Sequence, residues 1–313
     1  MQSLAKHRVL VVDDEERVTR ILDAILRDEY NVQVCNDPIE ALNLVRGNFF
    51  HVVISDQRMP QMDGSEFLRR AKEISSATVR ILLTGYSDLS AIVDSLNEGE
   101  IFRYVRKPWR TDEIRTLVRE ASEISARTVE AIRIARASAP PPVKTDSHFQ
   151  ELGDVLVLDG DTEIPRSISG QVPELAVHHA TSLPQALDIL AEFRIAVVVS
   201  EMFIGGESSA RLLRLLKLEY PHILVILVSS ALDSEGATQL INYVQVFRFV
   251  RRPVRPGLLR QNIHSAYARY REFSLIPELA KRHIVARSES VPASESTLWR
   301  RVRQLVGTLR LVR

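Results

Sequence analysis

Over the first 136 residues two apolar patterns alternate. Short runs of apolar, often β-branched residues, such as "RVLVV" and "HVVIS", are followed by longer stretches in which apolar residues recur every three or four positions. The first pattern fits buried strands and the second amphipathic helices. The pattern predicts strands near 8–12, 31–35, 51–55, 79–83 and 101–105, and helices near 15–28, 38–46, 65–75, 88–98 and 111–136. Five strand–helix units in a row imply a doubly wound parallel sheet with helices on both faces, an α/β class.

The pattern then returns. Ser55-Asp56 matches Ser200-Glu201, Thr84 matches Ser229, and "FRYVRKP" from Phe102 matches "FRFVRRP" from Phe247, each pair 145 positions apart. The opening strands, "RVLVVDD" and "DVLVLDGD", match at 146, which needs one residue of difference in a loop. Self-similarity at a fixed spacing is the signature of a repeated unit. The expected organisation is a first domain over 1–137, a Pro-rich spacer over 138–151, a second copy over 152–273 and a basic amphipathic helical tail over 274–313.

Composition narrows the class without changing this picture. The 313 residues are 45% apolar and 26% charged, enough for two separate cores. A formal charge of +1 argues against a surface that is one nucleic-acid footprint. Apolar runs such as "ILVILV" fall well short of the roughly 20 residues that span a bilayer, and the N-terminus lacks a secretory pattern. A cytoplasmic protein with no membrane partner is therefore expected. The single cysteine, Cys35, reads as a small buried hydrophobe in a strand, and no internal disulfide is possible.

In a sheet of this kind ligands sit at the carboxyl ends of the strands. The polar residues found there are Asp13 and Asp14, Asp56, Thr84, and Lys107 with Pro108. Each alone is ordinary loop chemistry. Together they converge on one edge, where three carboxylates repel one another unless a hard cation is present, and such oxygen ligands suit Mg2+. A lysine and a hydroxyl across the cleft suit a phosphoryl group, as point charge and hydrogen-bond donor.

"VLVVDDE", "VVISDQRMPQMDG", "ILLTGY" and "FRYVRKPW", in that order, resemble the receiver domain of two-component response regulators over about residues 7–125. The resemblance implies a flavodoxin-like (βα)5 fold. It implies that Asp56 accepts a phosphoryl group from a histidine kinase or phosphotransfer protein, with Asp13, Asp14, Asp56 and the backbone carbonyl of Arg58 around Mg2+. It further implies that Lys107 pairs with the phosphate, while Thr84 moves to bond it and draws Tyr104 inward. A carboxylate nucleophile forming an acyl phosphate agrees with the residues themselves. "SLNEGEIFRYVRKPW" also resembles receivers that precede cyclic-di-GMP phosphodiesterase or transcriptional output modules, a likeness confined to the receiver.

The second copy resembles the same family in its framework and departs from it at the site. Asp159 keeps the first acidic position, Gly160 stands where the second belongs, Glu201 replaces the acceptor, Ser229 replaces the threonine and Arg252 the lysine. Pro165 and Gly170 in "TEIPRSISGQVP" predict a short or distorted first helix. A receiver-like domain without phosphoryl chemistry is expected, with a Glu201 to Arg252 ion pair offsetting the glutamate. "VLVLDGDTE" also resembles the nucleophile strand of haloacid-dehalogenase-type phosphatases, but the later lysine and acidic pair of that family are missing. No enzymatic turnover is expected.

The last helix of the first copy carries Ile114, Leu117, Ala121, Ile124, Thr128, Ala131 and Ala135 at heptad-like spacing, which suits either a homodimer seam or a helix covering its own domain. The prolines of "ASAPPPVKTDS" stop it. In the tail, Leu298, Val302, Leu305, Leu309 and Val312 form a stripe beside five arginines. The stripe points to a protein contact ahead of nucleic acid or membrane. The expected function is a response regulator acting through phosphorylation-dependent contacts with an output protein. The alternative is a DNA-binding regulator using the tail, although no helix-turn-helix pattern follows residue 273.

Overall fold

The computed structural model describes residues 6–85, 101–138, 152–230 and 244–283. These form two compact units, one ending with residue 138 and one beginning at residue 152. The helix expected over 88–98, the proline spacer and the tail stripe lie outside the described residues.

The first unit runs β1 (Arg8–Val12), α1 (Glu16–Leu26), β2 (Asn31–Cys35), α2 (Pro38–Gly47), β3 (Val52–Asp56), α3 (Gly64–Ile74), β4 (Val79–Thr84), β5 (Arg103–Arg106) and α4 (Thr111–Ser138). Its sheet is parallel with strand order β2-β1-β3-β4-β5, the doubly wound order of the flavodoxin-like class. Val9, Val11, Val52, Ile54, Val79 and Ile81 face α1 and α4, whose Leu22, Leu26, Ile114, Val118 and Ala121 complete one half of the core. The alternate residues Leu10, Val12, Val53 and Leu82 are buried too. Burial on both faces explains why these strands read as continuous apolar runs.

Two expected strands are displaced. The third ends on Asp56 instead of Ser55, and the fifth begins at Arg103 instead of Ile101. The shift follows from pairing, since Asp56 lies opposite Leu83 and Arg103 opposite Ile81 in the ladder. α2 starts where the sequence signals, with Asp37 Oδ1 accepting from the N–H groups of Ile39 and Glu40 and Pro38 in the first turn. In α4 the stripe residues Ile114, Leu117 and Ala121 belong to the core of their own unit, with Ile124 packed against it. Cys35 is buried and its thiol donates to the Asp37 carbonyl at 3.2 Å.

The second unit runs β6 (Asp154–Leu158), α5 (Glu163–Gln171), β7 (Val177–Ala180), α6 (Leu183–Glu192), β8 (Ile195–Glu201), β9 (Phe203–Ile204), β10 (Glu207–Ser208), α7 (Ala210–Glu219), β11 (Leu224–Ser229), β12 (Arg248–Arg251) and α8 (Pro256–Leu275), then a 3-10 turn over Pro277–His283. Its five-stranded parallel sheet, β12-β11-β8-β6-β7, repeats the first order when the strands are taken in chain sequence. α5 has nine residues against eleven in α1, the short first helix that Pro165 and Gly170 signal. β9 and β10 form a small antiparallel hairpin absent from the first unit's described residues, turning through Gly205 and Gly206 at φ +58° and +85°. A two-residue turn with both φ values positive is glycine's territory. The second unit also extends past residue 273, because Leu279 and Ala280 of the 3-10 turn join its core. Among the described residues no helix is long and apolar enough to cross a membrane.

Candidate functional site

Register brings the first site together. β1 pairs Val12 with Ser55, β3 pairs Asp56 with Leu83, and β4 pairs Thr84 with Arg106. Asp13, Asp56, Thr84 and Lys107 therefore emerge at the same carboxyl edge. Lys107 Nζ lies 2.9 Å from Asp13 Oδ2 and 2.5 Å from Asp56 Oδ1. The remaining oxygens take main-chain donors, Asp13 Oδ1 from Glu15 N–H at 2.9 Å and Asp56 Oδ2 from Arg58 N–H at 2.7 Å. Asp13 and Thr84 are buried and Tyr104 lies inward, 2% exposed. Asp14, next in the chain, is exposed to solvent. Among the described residues no set of three or more acidic, histidine or cysteine side chains is gathered as for a metal.

Burial pushes the Asp13 carboxyl above its ordinary range, more than Lys107 and the Glu15 N–H pull it down. Burial also works against the Lys107 charge, but its bonds to Asp56 and Asp13 outweigh this and hold the ammonium above its usual value. One ammonium between two carboxylates leaves a net negative charge in a largely buried cleft. An electrophile carrying its own cation is favoured there.

The second edge is organised around one guanidinium. Arg252 Nε donates to Glu201 Oε2 at 3.0 Å, with Nη2 2.9 Å from the same oxygen. Nη2 also donates to Asp159 Oδ2, and Nη1 lies 3.3 Å from Asp161 Oδ2 and 3.6 Å from Glu163 Oε2. The side chain is 18% exposed and ties the end of β6, the start of α5 and the end of β8 to β12. Burial holds both Asp159 and Glu201 above the ordinary carboxyl range even so, because a single positive charge shared among four carboxylates does not offset their desolvation and mutual repulsion. Ser229 is buried at the end of β11. The sequence alone does not mark Asp161 and Glu163 as partners of Arg252. The signal for them is chemical, since an arginine fork has five donors to place where a lysine has one ammonium.

A family model of the response regulator receiver domain matches residues 9–119. The chain is 37% identical over 202 residues to the hydrogenase transcriptional regulatory protein HoxA of Bradyrhizobium diazoefficiens, a match covering 64% of this chain and 39% of that protein. It is 33% identical over 134 residues to the regulatory protein AtoC of Escherichia coli, covering 42% of this chain and 29% of that one. Among solved structures, the signal receiver domain of an HD domain-containing protein from Pseudomonas fluorescens is 35% identical, with a TM-score of 0.40, 42% of this chain and 96% of that one covered. The chain thus spans well under two thirds of the two regulators' lengths. Fold and family model define the first unit as a parallel α/β signalling domain. Residues 9–119 are a response regulator receiver domain.

Proposed function

We propose that this chain is a response regulator whose Asp56 accepts a phosphoryl group from a histidine kinase or phosphotransfer protein, and whose second unit is a receiver-like domain without that chemistry. The observation that supports it best is Lys107 Nζ at hydrogen-bond distance from both Asp13 and Asp56. In the reaction an Asp56 oxygen attacks phosphorus, the P–N bond to the donor imidazole breaks, and the imidazole keeps the electron pair. Lys107 and the Arg58 N–H hold the two Asp56 oxygens, so the attacking lone pair is oriented before the donor arrives. Lys107 then faces an acyl phosphate whose total charge is about −1.5 to −2, in place of the single negative charge of the carboxylate.

The residues fit Mg2+. Asp13 and Asp56 are oxygen donors with lone pairs left over and an uncompensated charge, and Asp14 and the Arg58 carbonyl stand beside them in sequence. These four groups would hold the ion, and its role would be to neutralise charge on the transferring phosphoryl group. At the second site Gly160 removes one ligand and Arg252 already engages Asp159 and Glu201, which disfavours a metal.

On this reading the chain has no turnover of an external substrate, acts in the cytoplasm, and signals by a phosphorylation-dependent change of protein contacts, including self-association. A second reading, transcriptional control through nucleic acid, is favoured by the relatives' names, HoxA being a transcriptional regulatory protein. Those names give no support to the expectation that nucleic acid is not a partner. Mass analysis after incubation with acetyl phosphate tests the main reading: one phosphoryl group is expected on the wild type, none with EDTA and none on Asp56→Asn. Labelling of Asp56→Asn, or of residues 152–283 in the wild type, refutes it. A salt-dependent shift of DNA mobility would instead favour the second reading.

A further inference from the structure

We propose that Ser55 and Gly64 clamp the main-chain carbonyl of Asp56, making Ser55 a positioning residue for phosphoryl uptake; the inference rests on the reading of Asp56 as the acceptor. Asp56 is the last residue of β3 and is 6% exposed, so its carbonyl, at the end of the ladder, needs a donor from within the protein. Ser55 supplies it. Its fully buried hydroxyl donates to Asp56 O at 2.9 Å. On the other side stands Gly64, the first residue of α3. A methyl carbon built there would lie 1.8 Å from Asp56 O and 2.9 Å from Ser55 Oγ, so only glycine lets α3 approach this closely.

The clamp acts on chemistry through the peptide that follows. With the Asp56 carbonyl fixed, the chain leaves β3 in one direction, and Gly64 N–H closes the loop by donating to the Gln57 carbonyl at 2.9 Å. That path carries the Arg58 N–H onto Asp56 Oδ2 at 2.7 Å, while Lys107 holds Oδ1. The plane of the carboxylate therefore depends on a hydroxyl that never touches the phosphoryl group.

The second unit repeats the device with different parts. Ser200 Oγ donates to the Glu201 carbonyl at 2.8 Å, and Ser209, at the position of Gly64, donates to the same carbonyl at 2.7 Å. A serine fits there because the hairpin of β9 and β10 replaces the loop and α7 begins one residue later, at Ala210. The same carbonyl is fixed in both units, once by closeness and once by a second hydroxyl.

The test measures the rate of phosphoryl uptake by the full chain from acetyl phosphate over a range of Mg2+ concentrations, with melting temperature recorded separately. Ser55→Ala is expected to be slower by about tenfold to a hundredfold at saturating Mg2+ while remaining folded, the scale of loss that misplacement of a reacting group produces. Ser55→Thr, which keeps the hydroxyl, is expected to recover most of the rate, and Gly64→Ala to lose it. Should Ser55→Ala not fold, Ser55→Cys keeps the volume and weakens the donor, with the same expected loss. A folded Ser55→Ala or Ser55→Cys at the wild-type rate, or a Ser55→Thr as slow as Ser55→Ala, overturns the clamp. A wild type that takes no phosphoryl group overturns the acceptor reading beneath it.

Discussion

The two carboxyl edges pose one electrostatic problem and solve it with different cations. In the first, Lys107 offers a compact charge to Asp13 and Asp56 and leaves each carboxylate with free lone pairs. In the second, Arg252 spreads a planar fork over Asp159, Glu201, Asp161 and Glu163. A point charge leaves room for a further ligand, whereas a fork consumes the acceptors it meets. Exchange of lysine for arginine, with Glu201 one methylene longer than aspartate, thus binds the carboxylates of the second edge within the chain, while those of the first keep lone pairs free.

At a fixed neutral pH, removing the fork should break the comparison most severely. Arg252→Met leaves the buried Asp159 and the partly buried Glu201 without a cation, and should lower the stability of the second unit by about 2–3 kcal/mol, short of the 3–5 for a fully buried pair since Glu201 keeps 22% of its side chain exposed. Denaturant unfolding with a probe in that unit measures it, and an unchanged midpoint would mean that the ion pairs are ornamental.

A second contrast lies on the helices. Lys72 in α3 is half-buried, while Lys217 at the matching position of α7 is fully buried and donates to the Ile223 carbonyl. Burial pushes the Lys217 ammonium down to about 7. Below that pH the lysine is charged in both folded and unfolded states and its burial cost is fully felt. Between about 7 and the ordinary 10.5 the folded form is neutral while the unfolded form still binds a proton, so stability should climb with pH, by at most about 1.4 kcal/mol per unit. Lys217→Met should remove the climb and raise stability below pH 7. Melting curves from pH 6 to 10 check this, and parallel profiles for the two proteins would count against it.

The smallest effect is expected at Ser209. Ser209→Gly removes one of two donors to the Glu201 carbonyl and leaves Ser200 in place, so a loss of about 1 kcal/mol is expected, with no gain of phosphoryl uptake. A larger loss would make Ser209 the principal support of that turn.

Much of this could be read before any coordinates. Strands buried on both faces carry continuous apolar runs, so β1 and β4 lie within a residue of where periodicity puts them, and β2, at the sheet edge, is marked instead by its alternation. The spacing of "SD" and "SE", and of the two "FR" segments, announces two sheets of one order, because a repeated framework repeats its buried residues at fixed intervals. The acidic and basic residues at strand ends were legible for the same reason, since in a parallel sheet all strand ends share an edge. What required the tertiary structure was everything set by direction and distance. Asp14 follows Asp13 in the chain, yet Asp14 is exposed and Asp13 buried. Arg252 reaches Asp161 and Glu163 as well as Glu201, and the glycine pair of "FIGG" turns a hairpin that the first unit replaces with a close approach at Gly64. Periodicity records which side of an element is buried, because burial acts on every turn or pleat. It does not record which polar groups meet across the sheet, which depends on register, side-chain reach and the path of loops that carry no period.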